Sequence, residues 1–221
     1  MTETVNQFTT TQQVDLRRML DILCAGTAAI VFSPVFLIVG IAILFEGGRP
    51  ILYSQFRLGQ NGRPFRIYKF RKFRPDCDLN GFQLTLEEDE RMTKMGGILA
   101  ATKLDELPQL WNVLRGDMAL VGPRPESPAF SDCFRDGFEK ILEYKPGVFG
   151  PCQVLFRHES KLYPADADVA EYYRQVLFPA KAKIDLAYYQ SRTVVSDFGW
   201  ILRAAWVIAT AFISIKGHRA Q

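Results

Sequence analysis

Asp105 and Glu106 stand side by side in "TKLDELPQLWNVLRGDMALVGPRPE" (residues 102–126), and the same stretch ends in Pro123-Arg124-Pro125. Proline on either side fixes the backbone around Arg124 in extended geometry, so its guanidinium is presented with little freedom to lose. A preorganised arginine near an ionised acid pair has the makings of a phosphate-plus-metal site, with carboxylates for a hard cation and a guanidinium for phosphate oxygens. The plainer alternative makes Asp105 a helix cap, Glu106 a first-turn acid, and Arg124 a salt-bridge partner of Glu126 or Asp117. With only two histidines in the chain, His158 and His218, any catalysis falls to carboxylates, Lys and Arg.

The acid pair is positioned by a short helix. Leu107, Leu110, Trp111 and Leu114 recur at i, i+3, i+4 and i+7, one apolar helix face. Pro108 suits a first turn and Gly116 a stop, so the spacing predicts a helix over 106–115. Asp105 then falls at or beside the N-cap and Glu106 in the first turn, where the helix dipole stabilises both carboxylates in their ionised form. Upstream, "GRPILYSQFRLGQNGRPFRIYKFRKFRPD" alternates apolar and basic residues between Gly turns and predicts short strands. Eight basic residues fall between Arg49 and Arg74, among them Lys69 and Arg71; they form an anion-binding surface or a solvated juxtamembrane face. Residues 76–90 turn acidic and predict a surface loop or cap. Downstream, "YKPGVFGPCQV" predicts a turn-rich loop re-entering a strand, followed by Arg157. Helices are expected over 166–177 and 180–191, separated near Pro179. A last one, over 200–216, is either interfacial with tryptophan anchors or packed on the core.

Ile22 to Phe45 is an apolar run of 24 residues without a formal charge. A straight helix of that length reaches roughly 36 Å against roughly 30 Å of bilayer hydrocarbon. Ser33-Pro34 interrupts it: proline removes the bond to the Ile30 carbonyl, and the Ser33 hydroxyl can fold back onto a carbonyl one turn earlier. Basic residues flank both sides, Arg17 and Arg18 before and the Arg49–Arg74 set after. The residues leave two topologies open, a kinked span and a helix pair that re-enters the cytoplasmic leaflet.

Composition narrows the rest. At 221 residues, 48% apolar and 23% charged, with net charge +3, the chain is globular and its overall charge selects no partner. The four scattered cysteines include no C-x-x-C pair, which predicts a reduced cytosolic body without a structural zinc site. The sequence contains no Walker A motif and no G-x-G-x-x-G.

Taken together, "GRPFRIYKFR", "LDELPQLWNVLRGDMALVGPRPE", "KPGVFGPCQV", Arg17-Arg18, Asp21, Ser33-Pro34 and the late Asp185 in "IDLAYY" resemble the bacterial sugar transferase family, the monotopic phosphoglycosyl transferases. The resemblance runs from about Val14 to Lys216. It implies a re-entrant N-terminal helix and transfer of a sugar 1-phosphate from a UDP-sugar to polyprenol phosphate, releasing UMP. It places the covalent nucleophile on Asp105, its partner on Glu106, both with Mg2+, and phosphate binding on Arg124 within Pro123-Arg124-Pro125. Arg157 and Asp185 match family positions near the site. The chain departs from the family's usual pattern at Ala100 and Lys103, where arginine and serine are common, and at Phe149, where threonine is. Lys103 is expected to restore the positive charge from a different place.

The resulting expectation is an α+β fold. A re-entrant membrane helix-break-helix occupies 1–48, and a small, mostly helical cytosolic catalytic domain with short strands and interfacial amphipathic helices occupies 49–221. Substrate contacts are expected from Arg124, Pro123, Pro125, Arg157, Asp185, Lys69, Arg71 and Lys103, and metal contacts from Asp105 and Glu106. Expected partners are a nucleotide diphosphate sugar, polyprenol phosphate and membrane lipids, on the cytoplasmic face of the bacterial inner membrane. Oligomeric state stays open, a homodimer included. The competing expectation is a catalytically inactive membrane scaffold of a glycan assembly complex. A nucleic-acid-binding module built on 49–74 is disfavoured by the acidic stretch that follows it.

Overall fold

The computed structural model describes residues 2–77, 89–164 and 166–218, and their side chains except those of 2–15, 208, 209 and 211–218. Two helices open the chain, α1 (Thr2–Val31) and α2 (Ser33–Gly47), bent by 58° at the break. The break has the expected cause: Pro34 offers no N–H to the Ile30 carbonyl, and the Ser33 hydroxyl donates to that carbonyl at 2.7 Å. No single helix among the described residues is long and apolar enough to cross a membrane; the bent pair together is. Its outer surface is apolar, with Ile30, Val31, Leu37 and Ile38 largely exposed and Phe45 90% exposed.

The body contains two small sheets and a set of short helices. β1 (Leu52–Leu58) and β2 (Pro64–Phe70) are the expected short strands, and they pair as an antiparallel hairpin turned through Asn61 at φ 56°. α3 (Lys94–Thr102) and α4 (Gln109–Arg115) follow. The fully buried Asn112 of α4 accepts from the Tyr68 N–H at 3.1 Å and donates to the Arg66 carbonyl at 2.7 Å, so an amide side chain completes the ladder along β2. β3 (Ala119–Val121) pairs in parallel with β4 (Gly147–Phe149). A Cβ at Gly122 would collide with the backbone of Lys145, Pro146 and Gly147, so this crossing requires glycine. α5 (Pro151–Leu155), α6 (Val169–Tyr172), α7 (Phe178–Tyr189) and α8 (Val194–His218) complete the chain.

Several expectations change here. "YKPGVFGPCQV" does enter a strand, β4, but passes at once into α5. The two helices predicted around Pro179 are not separated: a π-helical stretch at Tyr173–Leu177 joins α6 to α7 and accommodates the missing proline donor. α8 packs one face on the body and leaves an apolar face exposed. Ala204 and Asp197 are buried and Trp200 packs edge-on against Tyr188 at 5.9 Å, whereas Val195, Phe198, Leu202 and Trp206 are exposed. Most of the acidic stretch 76–90 lies outside the described residues.

Arg17 and Arg18 are not a free basic flank. Arg18 donates to the Val113 and Leu114 carbonyls at 2.6 and 2.8 Å, capping the C-terminus of α4, and Arg17 pairs with Asp197 at 3.3 Å. Asp21 accepts from the Leu120 N–H at 2.9 Å. These three polar side chains dock α1 onto the body, and Ala25 packs into a core with Ile67, Leu110, Val113, Met118, Leu120 and Val148. A second core joins α2 to the body through Val39, Ile43, Phe70 and Leu99. A third, rich in aromatic rings, lies under α7.

Candidate active site

The corner between α3 and α4 builds the acid pair. α3 ends at Thr102, whose hydroxyl donates to the Ile98 carbonyl at 2.7 Å, and Lys103 turns the chain in the left-handed region (φ 61°, ψ 15°). A single 3₁₀ turn, Leu104–Glu106, then carries both acids. Successive i to i+3 bonds take the chain through Leu107, Leu110 and Trp111, and α4 begins only at Gln109, because Pro108 has no N–H to give. Asp105 is therefore not the cap of α4, and its charge does not rest on a helix dipole. Trp111 also departs from the expected apolar face: it is exposed, whereas Leu110 is buried as expected and Val113, outside that face, is buried beside it.

Cations take the place of the dipole. Asp105 is 3% exposed and its Oδ1 has no hydrogen-bond partner. Burial raises its pKa, the Glu106 charge adds to that, and Lys69, Lys72 and Lys103 oppose it. Glu106 is committed: its Oε1 accepts from Lys69 Nζ at 2.8 Å and lies 3.8 Å from Arg124 Nη1. Against burial, Lys69, Arg124 and Lys103 hold Glu106 well below the usual carboxylate range. Neighbouring carboxylates with environments that push them apart are suited to different tasks. Arg124 thus does form an ion pair, but with Glu106. Asp117 pairs with Arg115 at 3.4 Å, and Glu126 with Lys181.

The pair opens into a cleft of about 460 Å³ lined, among the described residues, by nine Lys and Arg side chains and four carboxylates. Lys69, Arg71, Lys103, Arg124 and Arg157 all line it, as does Lys72, whose pKa burial lowers to about 8. Residues 53, 55 and 57 of β1 line it too, the period expected of one strand face. Arg157 donates to the Ala101 carbonyl at 3.0 Å and the Val207 carbonyl at 2.5 Å, tying α3 to α8 beside the cleft.

Three expected contact residues do not line the cleft. Pro123 and Pro125 are buried, and the Pro123 carbonyl accepts from the Gly147 N–H at 2.9 Å; they stiffen the loop that presents Arg124. Asp185 is 5% exposed and sits by Cys152, which does line the cleft; burial raises its pKa to about 7. The local pattern could not separate a buried brace from a contact residue.

The sequence reading also missed a cluster. Lys181, 4% exposed, donates to Glu126 at 3.4 Å, Glu159 at 3.0 Å and the Tyr173 hydroxyl at 3.0 Å. Its signal was present: Phe178, Lys181, Ala182, Asp185 and Tyr189 share one helix face, and a lysine on an apolar stripe marks a buried partner.

No three His, Cys, Asp or Glu side chains converge on a metal position among the described residues. One unpartnered Asp105 oxygen beside Glu106 is nevertheless a donor set that fits Mg2+, which commonly takes one or two carboxylates and completes its shell with substrate phosphates and water.

An acid pair in a cationic cleft, on a body joined to a bent apolar helix pair, agrees with the chain's family. The chain belongs to the bacterial sugar transferase family, whose sequence model matches residues 11–211. Among individual relatives, it is 35% identical over 194 residues to the UDP-N-acetylgalactosamine-undecaprenyl-phosphate N-acetylgalactosaminephosphotransferase of Aeromonas hydrophila, covering 83% of this chain and 44% of that protein. It is 42% identical over 148 residues to the UDP-glucose:undecaprenyl-phosphate glucose-1-phosphate transferase of Caulobacter vibrioides, covering 64% and 54%. The Escherichia coli K12 protein of the same name is 34% identical over 142 residues, covering 63% and 31%. The chain thus spans between 31% and 54% of the length of these three relatives.

Proposed function

We propose that this chain is a phosphoglycosyl transferase that moves a sugar 1-phosphate from a UDP-sugar to polyprenol phosphate, the initiating step of bacterial surface glycan or exopolysaccharide synthesis. The observation that carries the reading is Asp105, buried in a cationic cleft with one carboxylate oxygen uncommitted. Its carboxylate attacks the sugar-bearing phosphorus of the donor, the P–O bond to the nucleotide phosphate breaks, and UMP leaves with the electron pair. A phosphate oxygen of the acceptor then attacks the same phosphorus and the Asp105 carboxylate is released. Lys69, Lys72, Lys103 and Arg124 line the cleft around the reacting charge as fixed positive groups, with Asp105 itself buried. Glu106 holds Lys69 and Arg124 in position. Mg2+, held by Asp105 and Glu106 together with the diphosphate, would supply further neutralisation of the phosphate oxygens.

The bent pair α1–α2 is read as re-entering the cytoplasmic leaflet, with both chain ends on the cytoplasmic face. Its exposed apolar surface supports membrane insertion. Supplied with a UDP-sugar and no acceptor, the protein is expected to release UMP and gain the mass of one sugar phosphate, with Asp105→Asn doing neither. A folded, lipid-supplied sample that releases UMP from none of a panel of UDP-sugars would favour the scaffold reading. Cysteine labelling that finds positions 3 and 218 on opposite faces would refute the re-entrant topology.

A further inference from the structure

Arg71 has a feature that the transfer step, as described, does not use. It is 6% exposed, its Nη2 donates to the Gly48 carbonyl at 3.0 Å, and its Nη1 is buried without a hydrogen-bond partner while the side chain lines the cleft. A buried donor of that kind is costly unless something else occupies it. Gly48 caps the C-terminal end of α2, and a Cβ on Gly47 would sit 3.0 Å from the same guanidinium. Arg71 is therefore fixed where the apolar helix pair ends and the cleft begins. Phe45, 90% exposed, is only three residues before Gly48.

Lys69 acts on both acids of the pair, and the other cations act on them unequally. Lys72, next to Arg71, and Lys103 act on the Asp105 carboxylate. Arg124 lies 3.8 Å from Glu106, and the Glu159 and Glu126 charges also act on it. Arg71, followed by Lys72, thus adjoins the end of the apolar helix, whereas Arg124 is tied to Glu106.

We propose that Arg71, with Lys72, forms a subsite for the phosphate monoester of the lipid acceptor, while Arg124 serves the nucleotide-sugar diphosphate. The assignment rests on the transferase reading above. Arg71 Nη1 and Lys72 Nζ each hold an oxygen of the acceptor phosphate, and a third oxygen faces the phosphorus on Asp105. That oxygen forms the new P–O–P bond as the P–O bond to Asp105 breaks; the electron pair returns to the carboxylate and no proton is transferred. The isoprenoid chain leaves along the apolar surface of α2. An ordinary anionic phospholipid headgroup shares the same chemistry, and the test separates the two.

The full chain in phosphatidylcholine nanodiscs allows the two half-reactions to be timed separately. Adduct formation is followed by UMP release from the UDP-sugar alone, and discharge by loss of the adduct on adding polyprenyl phosphate over a concentration series. Arg71→Gln is expected to form the adduct within about threefold of the wild-type rate and to discharge it about tenfold or more slowly, mainly through a raised KM for the acceptor. Arg71→Lys should recover part of the loss. Equal falls in both half-reactions, or no change in either, overturn the assignment. It also falls if phosphatidylglycerol slows discharge in the wild type but not in Arg71→Gln, because the site would then take ordinary headgroups. Should Arg71→Gln fail to fold, Arg71→Lys, which keeps the charge but loses the second donor, decides by the same ratio of rates. A wild-type chain that forms no adduct overturns the transferase reading itself.

Discussion

Lys181 donates to Glu126, Glu159 and the Tyr173 hydroxyl at 3.4, 3.0 and 3.0 Å, while elsewhere in the same cleft the Asp105 carboxylate keeps an oxygen that no donor reaches. Both groups are almost fully buried, at 4% and 3% exposure. Lys181 is a charge whose desolvation is offset by a shell of partners, with two carboxylates holding its ionised form. Asp105 is surrounded by cations without a direct bond to Oδ1; they oppose the rise in pKa that burial imposes, and its lone pairs are available. A satisfied buried charge fixes structure, and an unsatisfied one is a reservoir for chemistry.

That contrast can be broken by mutation. The largest effect is expected at Asp105: Asp105→Asn should lower UMP release about a thousandfold or more. Its folded pKa is raised, so the folded state disfavours the charged form relative to the unfolded chain. Above the ordinary aspartate range, removing the charge should therefore stabilise the fold. A melting temperature at pH 7.5 that falls in Asp105→Asn would mean that the carboxylate is structural. Lys181→Met should do the reverse, costing about 3–5 kcal/mol by leaving Glu126 and Glu159 buried without their cation. Denaturant unfolding in nanodiscs would measure it, and a loss below about 1 kcal/mol would remove the structural reading.

The third test concerns Asp185, whose pKa is near 3.8 unfolded and about 7 folded. Between those values the folded state binds more protons, so its contribution falls as pH rises from about 4 to about 7, by up to roughly 4 kcal/mol. Asp185→Asn should abolish this slope and exceed the wild type in stability at pH 8. An unchanged slope would show that another group titrates. The smallest effect is expected at Ser33. Ser33→Ala removes the bond to the Ile30 carbonyl but leaves Pro34, and should cost about 1 kcal/mol or less. A larger loss in thermal unfolding would show that the hydroxyl, rather than the proline, sets the bend.

What was legible follows the range of the interactions. The short strands of the basic stretch, the stop at Gly116 and the break at Ser33-Pro34 depend on residues within a few positions of one another, and each formed where the pattern placed it. The start of α4 was misplaced because apolar periodicity does not register that Pro108 withholds a donor in a tight corner. Arg17 and Arg18 read locally as a topological flank, because nothing nearby in the chain shows that their partners lie at Asp197 and at the carbonyls of Val113 and Leu114.

The sequence by itself determined the acid pair, the stiffened arginine, the apolar run with its break and the basic strand, because residue type and spacing suffice to define them. Only the tertiary structure decided the division of labour. It committed Glu106 to Lys69 and Arg124, left Asp105 Oδ1 free, buried Pro123, Pro125 and Asp185 out of the cleft, and brought Lys181 to Glu126 across 55 positions. The physical reason is that a charge's role inside a protein depends on which partners reach it after burial, and those partners are chosen by packing rather than by sequence proximity.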